Sequence, residues 1–280
     1  MTTSSSKAMP VRAFSSADDI DDQADFFVRF LDVLHRQPGI QANHKRTVEL
    51  LEICDGYQLL DVGCGAGSYS HDVYPLVGDK GRMVGLDQSR EFIDVARRRA
   101  DALGMSIEYV IGDVNAMSFP DDAFDGCRIE RVLQYVDDPR VALSEMVRVT
   151  RPGGHVVASE IDWDAFVMSF PGLDRSLYRW ITAKISDGVG NGWMGRELRN
   201  LFLDAGLEDV KTEGQVMINT DARMFLDDLA GRSMILRAHL DRENGSDAAE
   251  QLIADIEAAS RNDRFFRSST IFTVSGRVPG

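Results

Sequence analysis

The spacing of apolar residues predicts helices first. Between Asp22 and about Ile53, Phe26, Phe27, Phe30, Leu31 and Leu34 recur at helical intervals. QPGI (Gln37–Ile40) breaks that run, and a second helix continues through Val48, Leu51 and Glu52. From Tyr57 the rhythm changes to short apolar runs alternating with amphipathic ones. YQLLDVG (Tyr57–Gly63) reads as a buried strand bounded by glycine, and SYSHDVYPLV (Ser68–Val77) as a helix. GRMVGLD (Gly81–Asp87) is a second strand. SREFIDVARRRADALG opens on Ser89 as N-cap, carries Phe92, Ala96, Arg99 and Leu103 along one side, and stops at Gly104. Ile107–Asp113 and Phe124–Glu130 follow as the third and fourth strands. Asp138 caps another helix, with Pro139 in its first turn and RPGG as its stop, and His155–Ile161 is the fifth strand. Strands alternating with helices at this spacing predict an α/β fold, a parallel sheet with helices on both faces.

After Asp162 the pattern shifts. Residues 162–206 and 222–266 read as mostly helical, separated by a strand-like Asp209–Asn219, and Ser269–Val278 is the last strand. The helical segments are rich in aromatics, among them Trp163, Phe166, Phe170, Tyr178, Trp180, Trp193, Phe202 and Phe225. Such residues serve as core, or as a lid if the helices are insertions near the sheet end. The expected organisation is a loose, disordered tail (1–13), N-terminal helices (14–55), a core (56–161), and the rest of the same domain (162–280).

The 280 residues, 44% hydrophobic and 27% charged, suffice for one or two globular domains. A formal net charge of −14 opposes a broad grip on nucleic acid or an anionic membrane, so neither is expected as a partner. Cys54, Cys64 and Cys127 are odd in number and widely spaced, which suggests neither a disulfide framework nor a zinc cluster and fits a cytoplasmic setting. The first residues lack the apolar core of a secretory leader, and no apolar run is long enough to span a bilayer.

Three glycines, Gly63, Gly65 and Gly67, follow the first strand directly. Glycines there allow tight turning and close approach of a ligand at the carboxyl ends of the strands. A dinucleotide fingerprint wants a third glycine three positions after the second; here that position is Ser68. Acids stand at successive strand ends. Asp61 precedes the loop, where it can orient it or reach an ammonium. Asp87 can accept from both hydroxyls of a ribose, and Asp113 from an adenine amino group while Val114 packs on the ring. Each acid alone is equally a cap or turn residue; three beside a glycine loop are a pattern.

Together LLDVGCGAG, GLD, GDVNAMSFPDDAFDG, RVLQYVDDP and EMVRVTRPGG, from about Leu59 to Ile161, resemble the class I S-adenosylmethionine-dependent methyltransferases, most of all the UbiE-like small-molecule enzymes. The resemblance implies a Rossmann-like seven-stranded sheet with an antiparallel last strand, here with added N-terminal helices and a helical lid. It implies S-adenosyl-L-methionine as cofactor. The glycine loop would carry its aminocarboxypropyl part, Asp87 with Gln88 the ribose, and Asp113 with Val114 the adenine. Glu130 and Arg131 would close the methionine end. Because this cofactor has no pyrophosphate for a helix N-terminus to hold, the missing third glycine is no obstacle.

Methyl transfer from a sulfonium is a direct displacement, so alignment of nucleophile, carbon and sulfur is the main task. A general base is needed only where the acceptor must lose a proton early. His71 and Asp162 are the candidates for that role, and Asp164 stands beside the second. Trp163, Tyr178 and Trp193 are candidate acceptor contacts, and GVGNGWMG (Gly188–Gly195) a candidate gate. No metal is expected. The reading is methylation of an oxygen or carbon on a small, partly apolar metabolite. A nicotinamide-dependent oxidoreductase and a non-catalytic cofactor-binding partner subunit are the alternatives, and the N-terminal helices leave room for a homo-oligomer.

Overall fold

The structure, a computed structural model, describes residues 21–223, 240, 242 and 247–280, with only the backbone given for residues 21–26. The expected tail (1–13), the start of the N-terminal segment (14–20), Phe225 and the Phe26 side chain lie outside the described residues.

Among the described residues two helices come first, α1 (Asp21–His35) and α2 (Pro38–Leu51), with Pro38 opening the second. Proline has no N–H to lose in a first turn and its φ is already helical, which is why QPGI divides the run. The sheet follows as β1 (Gln58–Val62), β2 (Arg82–Asp87), β3 (Glu108–Ile111), β4 (Phe124–Glu130), β5 (Thr150–Ser169), β6 (Glu208–Asn219) and β7 (Phe266–Arg277). Between the strands lie α3 (Ser68–Val77), α4 (Arg90–Leu103), α5 (Pro139–Val149), α6 (Arg175–Asp187), α7 (Met194–Asp204) and α8 (Ala248–Arg261). Strand order is β3-β2-β1-β4-β5-β7-β6, parallel from β3 to β5, with β7 antiparallel to both of its neighbours. The expected seven strands and antiparallel last strand are all present.

Side-chain alternation splits the core between the two sheet faces. Leu60, Val62, Cys127 and Ile129 face α5 and α7, where Leu143, Met146, Leu198 and Phe202 are buried. Leu59 and Met83 face the other way, onto Leu51 of α2 and Tyr69, Val73 and Val77 of α3. The order reverses between β1 and β4, because β2 lies on one side of β1 and β4 on the other. In open α/β sheets that reversal opens a crevice at the strands' carboxyl ends.

Two expectations need correction. First, β5 does not stop at Ile161: its register with β7 slips between Asp162 and Val167, and the strand then runs on to Ser169. Past this bulge Phe166, Met168 and Phe170 are buried while Val167 and Ser169 are exposed, a period of two where a helix was expected. Second, among the described residues the helices after β5 pack away from the cavity. α7 packs on the main core, and α6 and α8 enclose a second cluster against the far end of β5, with Ile181, Leu252 and Ile256 buried. No helix among the described residues is long and apolar enough to cross a membrane.

Candidate functional site

A cavity of about 460 Å³ opens at the β1/β4 reversal. Its floor is the loop after β1. Gly63 donates its N–H to the Leu86 carbonyl at 2.7 Å and adopts φ +66, and an added Cβ would stand 2.2 Å from Val132 Cγ2. Only glycine fits there, so at Gly63 the floor is bare backbone. Gly65 also lines the cavity, whereas Gly67 lies behind it as the N-cap of α3, at φ +81, with a Cβ position 2.5 Å from the Tyr109 hydroxyl.

Asp87 ends β2 at the cavity wall. One carboxylate oxygen accepts the Gly65 N–H and the other the Ser89 N–H, both at 2.9 Å. Burial raises its pKa, and the Ser89 and Gly65 amides oppose that rise. Gln88, Asp113 and Val114 line the same side. Asp113 caps its own turn through the Asn115 N–H, at 2.9 Å. The strand-end acids therefore converge, with one exception. Asp61 is fully buried beneath the loop, accepting from Arg128 at 2.8 Å and from the Ser70 hydroxyl at 2.7 Å, so it braces the floor without lining the cavity.

Arg128 is the centre that sequence reasoning missed. It is buried in β4 between Asp61 and Glu130, with its guanidinium 3.4 Å from the centroid of the Tyr69 ring. Burial opposes its charge, but the two carboxylates outweigh that and raise its pKa. Glu130 accepts from Arg128, from Asn43 Nδ2 at 3.1 Å, and from Arg131 Nε at 3.1 Å, and it pairs with His44 Nε2 at 3.2 Å. Burial pushes its carboxyl up, yet His44 and Arg128 hold it well below the usual range, so it is an anion at neutral pH. Arg131 adopts the left-handed φ of +55 that turns the chain out of β4 into the cavity rim.

The roof comes from α1 and α2: Phe30, Leu31, Leu34, His35, Ile40 and His44 face the cavity. Among the described residues these N-terminal helices take the covering role that the later helices were expected to fill. The far wall is formed by Tyr135, Ile161, Trp163, Met217, Arg267 and Ser269. Trp163 Nε1 donates to Gln134 Oε1 at 2.6 Å, fixing the indole against that wall.

The remaining expected residues stand elsewhere. His71 does not line the cavity; its ring meets Tyr109 edge-on at 6.2 Å, and burial lowers its pKa. Asp162 is turned away and held by Arg196, at 2.5 and 2.7 Å, with Asp164 also paired to that arginine at 3.3 Å. Tyr178 donates to the Phe166 carbonyl inside the second cluster, and Trp193 is 51% exposed beside Arg196. Nor is Gly188–Gly195 a free gate. Asn191 N–H donates to the Gln134 carbonyl at 2.8 Å, and Trp163 N–H donates to the Gly192 carbonyl at 2.9 Å. An ordinary helical pattern on α2 hid His44, and a lone arginine inside a strand gave no motif for Arg128.

The methyltransferase domain family matches residues 60–158. An uncharacterised 37.1 kDa protein in transposon TN4556 of Streptomyces fradiae is 38% identical over 64% of this chain, and the match spans 51% of that protein. The demethylmenaquinone methyltransferase of Bacillus cereus is 29% identical over 62% of this chain and 79% of its own. Among solved structures, the YcgJ protein from Bacillus subtilis superposes with a TM-score of 0.60 at 17% identity, covering 86% of this chain and all of that one, a likeness of fold. Strand order, glycine loop, strand-end acids and these kinships agree: residues 60–158 match a methyltransferase domain, which supports a class I S-adenosylmethionine-dependent methyltransferase.

Proposed function

We propose that this chain transfers the methyl group of S-adenosyl-L-methionine to an oxygen or carbon of a small, partly apolar acceptor in specialised metabolism. The observation that carries the reading is one cavity with two unlike ends. Bare glycine backbone, Asp87 and Asp113 gather at one end, and Ile161, Trp163 and Met217 at the other. Its 460 Å³ falls within the roughly 300–1,000 Å³ of small-molecule sites.

The residues present fit the cofactor. Gly63 leaves no room for a side chain, so a ligand can rest on the loop backbone. Asp87 keeps a lone-pair position on each oxygen for a ribose diol after its two backbone contacts. Gln88 would stand beside that diol, and Asp113 would accept from the adenine amino group while Val114 would cover the ring. Gly65, Glu130 and Arg131 would bound the methionine end, and Asp61 holds the floor through Arg128 and Ser70. When bound, S-adenosylmethionine supplies a methyl carbon activated by a neighbouring sulfonium. The protein's share is alignment and exclusion of water: α1 and α2 roof the cavity, while Trp163 and Met217 hold the acceptor's apolar part. Positioning of this kind contributes roughly 7–11 kcal/mol to well-oriented reactions. Three free cysteines support a reducing, cytoplasmic setting.

Calorimetric titration with S-adenosylmethionine, S-adenosylhomocysteine and NAD tests the reading. Micromolar binding of the first two and none of NAD is expected; binding of NAD alone would overturn it. Acceptors are then screened with methyl-labelled cofactor against phenols and quinols, starting from demethylmenaquinone, the compound in the Bacillus relative's name.

A further inference from the structure

His35, His44 and Asp72 come from three elements, α1, α2 and α3, and each offers one ligand atom within 4.8 Å of the others. Both histidines border the cavity, and their rings lie 5.1 Å apart. His35 Nε2 is 3.0 Å from Asp72 Oδ2, close to the edge of about 3.3 Å between two ligands on a tetrahedral zinc with bonds near 2.0 Å. His44 supplies the more telling detail. Its Nε2 is engaged by Glu130, whereas its Nδ1 is buried with no hydrogen-bond partner, in a side chain only 8% exposed. A carboxylate behind one ring nitrogen, with the other nitrogen's lone pair left over, is the arrangement that orients metal-bound histidines. An orphaned buried nitrogen is otherwise costly.

We infer that His35, His44 and Asp72 form a binding site for a divalent transition-metal ion of the zinc class, which clamps the roof helices α1 and α2 to α3. Two imidazoles and one carboxylate suit such an ion better than magnesium or calcium, which prefer all-oxygen shells. Three protein ligands leave a fourth tetrahedral position for water. The ion joins the roof to the helix that follows the glycine loop, so its presence makes the cofactor end of the cavity more rigid. This inference does not rest on methyl transfer, and its test does not read it.

The test titrates ZnCl₂ and CoCl₂ into chelator-treated full-length protein by calorimetry and visible absorption. One ion per chain is expected, with micromolar or tighter affinity and the intense visible bands of tetrahedral Co²⁺. His35→Ala and His44→Ala should each weaken binding at least about tenfold. Asp72→Asn, at a half-exposed carboxylate, should weaken it by a smaller factor while the circular dichroism spectrum stays unchanged. Absence of binding by both ions overturns the site. So does binding that survives all three substitutions, or Co²⁺ bands of octahedral weakness. Should His44→Ala fail to fold, the His35 and Asp72 variants decide the matter.

Discussion

Asp87→Ala removes the one carboxylate that both shapes the glycine loop and faces the cavity. In the native chain its two oxygens accept from Gly65 and Ser89, each at 2.9 Å. A carboxylate oxygen accepts about two hydrogen bonds, so each retains one position for a ribose hydroxyl. A hydrogen bond to a charged group contributes about 1.5–3 kcal/mol. At about 1.4 kcal/mol per decade, losing the equivalent of one such bond raises the Kd for S-adenosylhomocysteine roughly 10- to 150-fold. The variant also releases two backbone N–H groups, of Gly65 at the cavity and of the partly exposed Ser89, where water can take the carboxylate's place, so the expected stability loss is only about 1 kcal/mol. The assay is calorimetric titration of both proteins, with a thermal melt to show the fold intact. Asp87→Asn, which keeps one acceptor oxygen without the charge, should fall between the two. A folded Asp87→Ala protein binding within about threefold of the native Kd would refute the cofactor placement.

Three further perturbations probe the frame around the site. Gly63→Ala forces an L-residue into φ +66 and a methyl against Val132, so it should cost about 2–5 kcal/mol in urea unfolding and abolish cofactor binding; a silent variant would mean the loop is not the close-packed floor described. Arg128→Ala leaves Asp61 and Glu130 buried without their countercharge and should destabilise by about 3–5 kcal/mol, whereas a loss under about 1 kcal/mol would show the cluster to be well hydrated. Burial pushes the Glu160 carboxyl up from 4.5 to about 8, so the folded state holds a proton that the unfolded chain releases. Its stabilising contribution is full below about pH 4.5 and fades as pH rises through about 8. Glu160→Gln should therefore flatten the fall in unfolding midpoint over that window, and an unchanged profile would count against a protonated Glu160.

Much of the framework could be read in advance because it is local. The strand ends, the Ser89 and Asp138 caps and the glycine loop each announce themselves within a few residues, and the structure has both caps making their hydrogen bonds. The acids became persuasive only together, since a parallel sheet carries every strand end to one edge. What escaped depended on distant contacts or a broken period. The bulge after Asp162 shifts the alternation of β5, so Trp163 and Phe166 looked helical although Phe166, Met168 and Phe170 keep strict strand phase. Asp162 looked like a free loop acid because Arg196, far along the chain, was not visible as its partner. Arg128 and His44 gave no signal because nothing local explains a buried charge in a strand or a histidine on an amphipathic helix.

Gln134 has a consequence for how acceptors are discriminated. Its side-chain oxygen holds the Trp163 indole, its backbone carbonyl holds Asn191, and it sits in the single turn Leu133–Tyr135 just beyond β4. Glu160 fastens that same turn from below through the Val132 and Leu133 N–H groups, at 2.9 and 2.7 Å. The Trp163 wall of the cavity and the strand that ends at Glu130 are thus one mechanical body. On the proposed reading, an acceptor too bulky for Trp163 would not push the indole aside alone; it would have to displace the turn, and with it the cavity rim. Selectivity would then be expressed as turnover, with ill-fitting molecules binding yet reacting slowly, and competitive inhibitors are expected to be easier to find than alternative substrates.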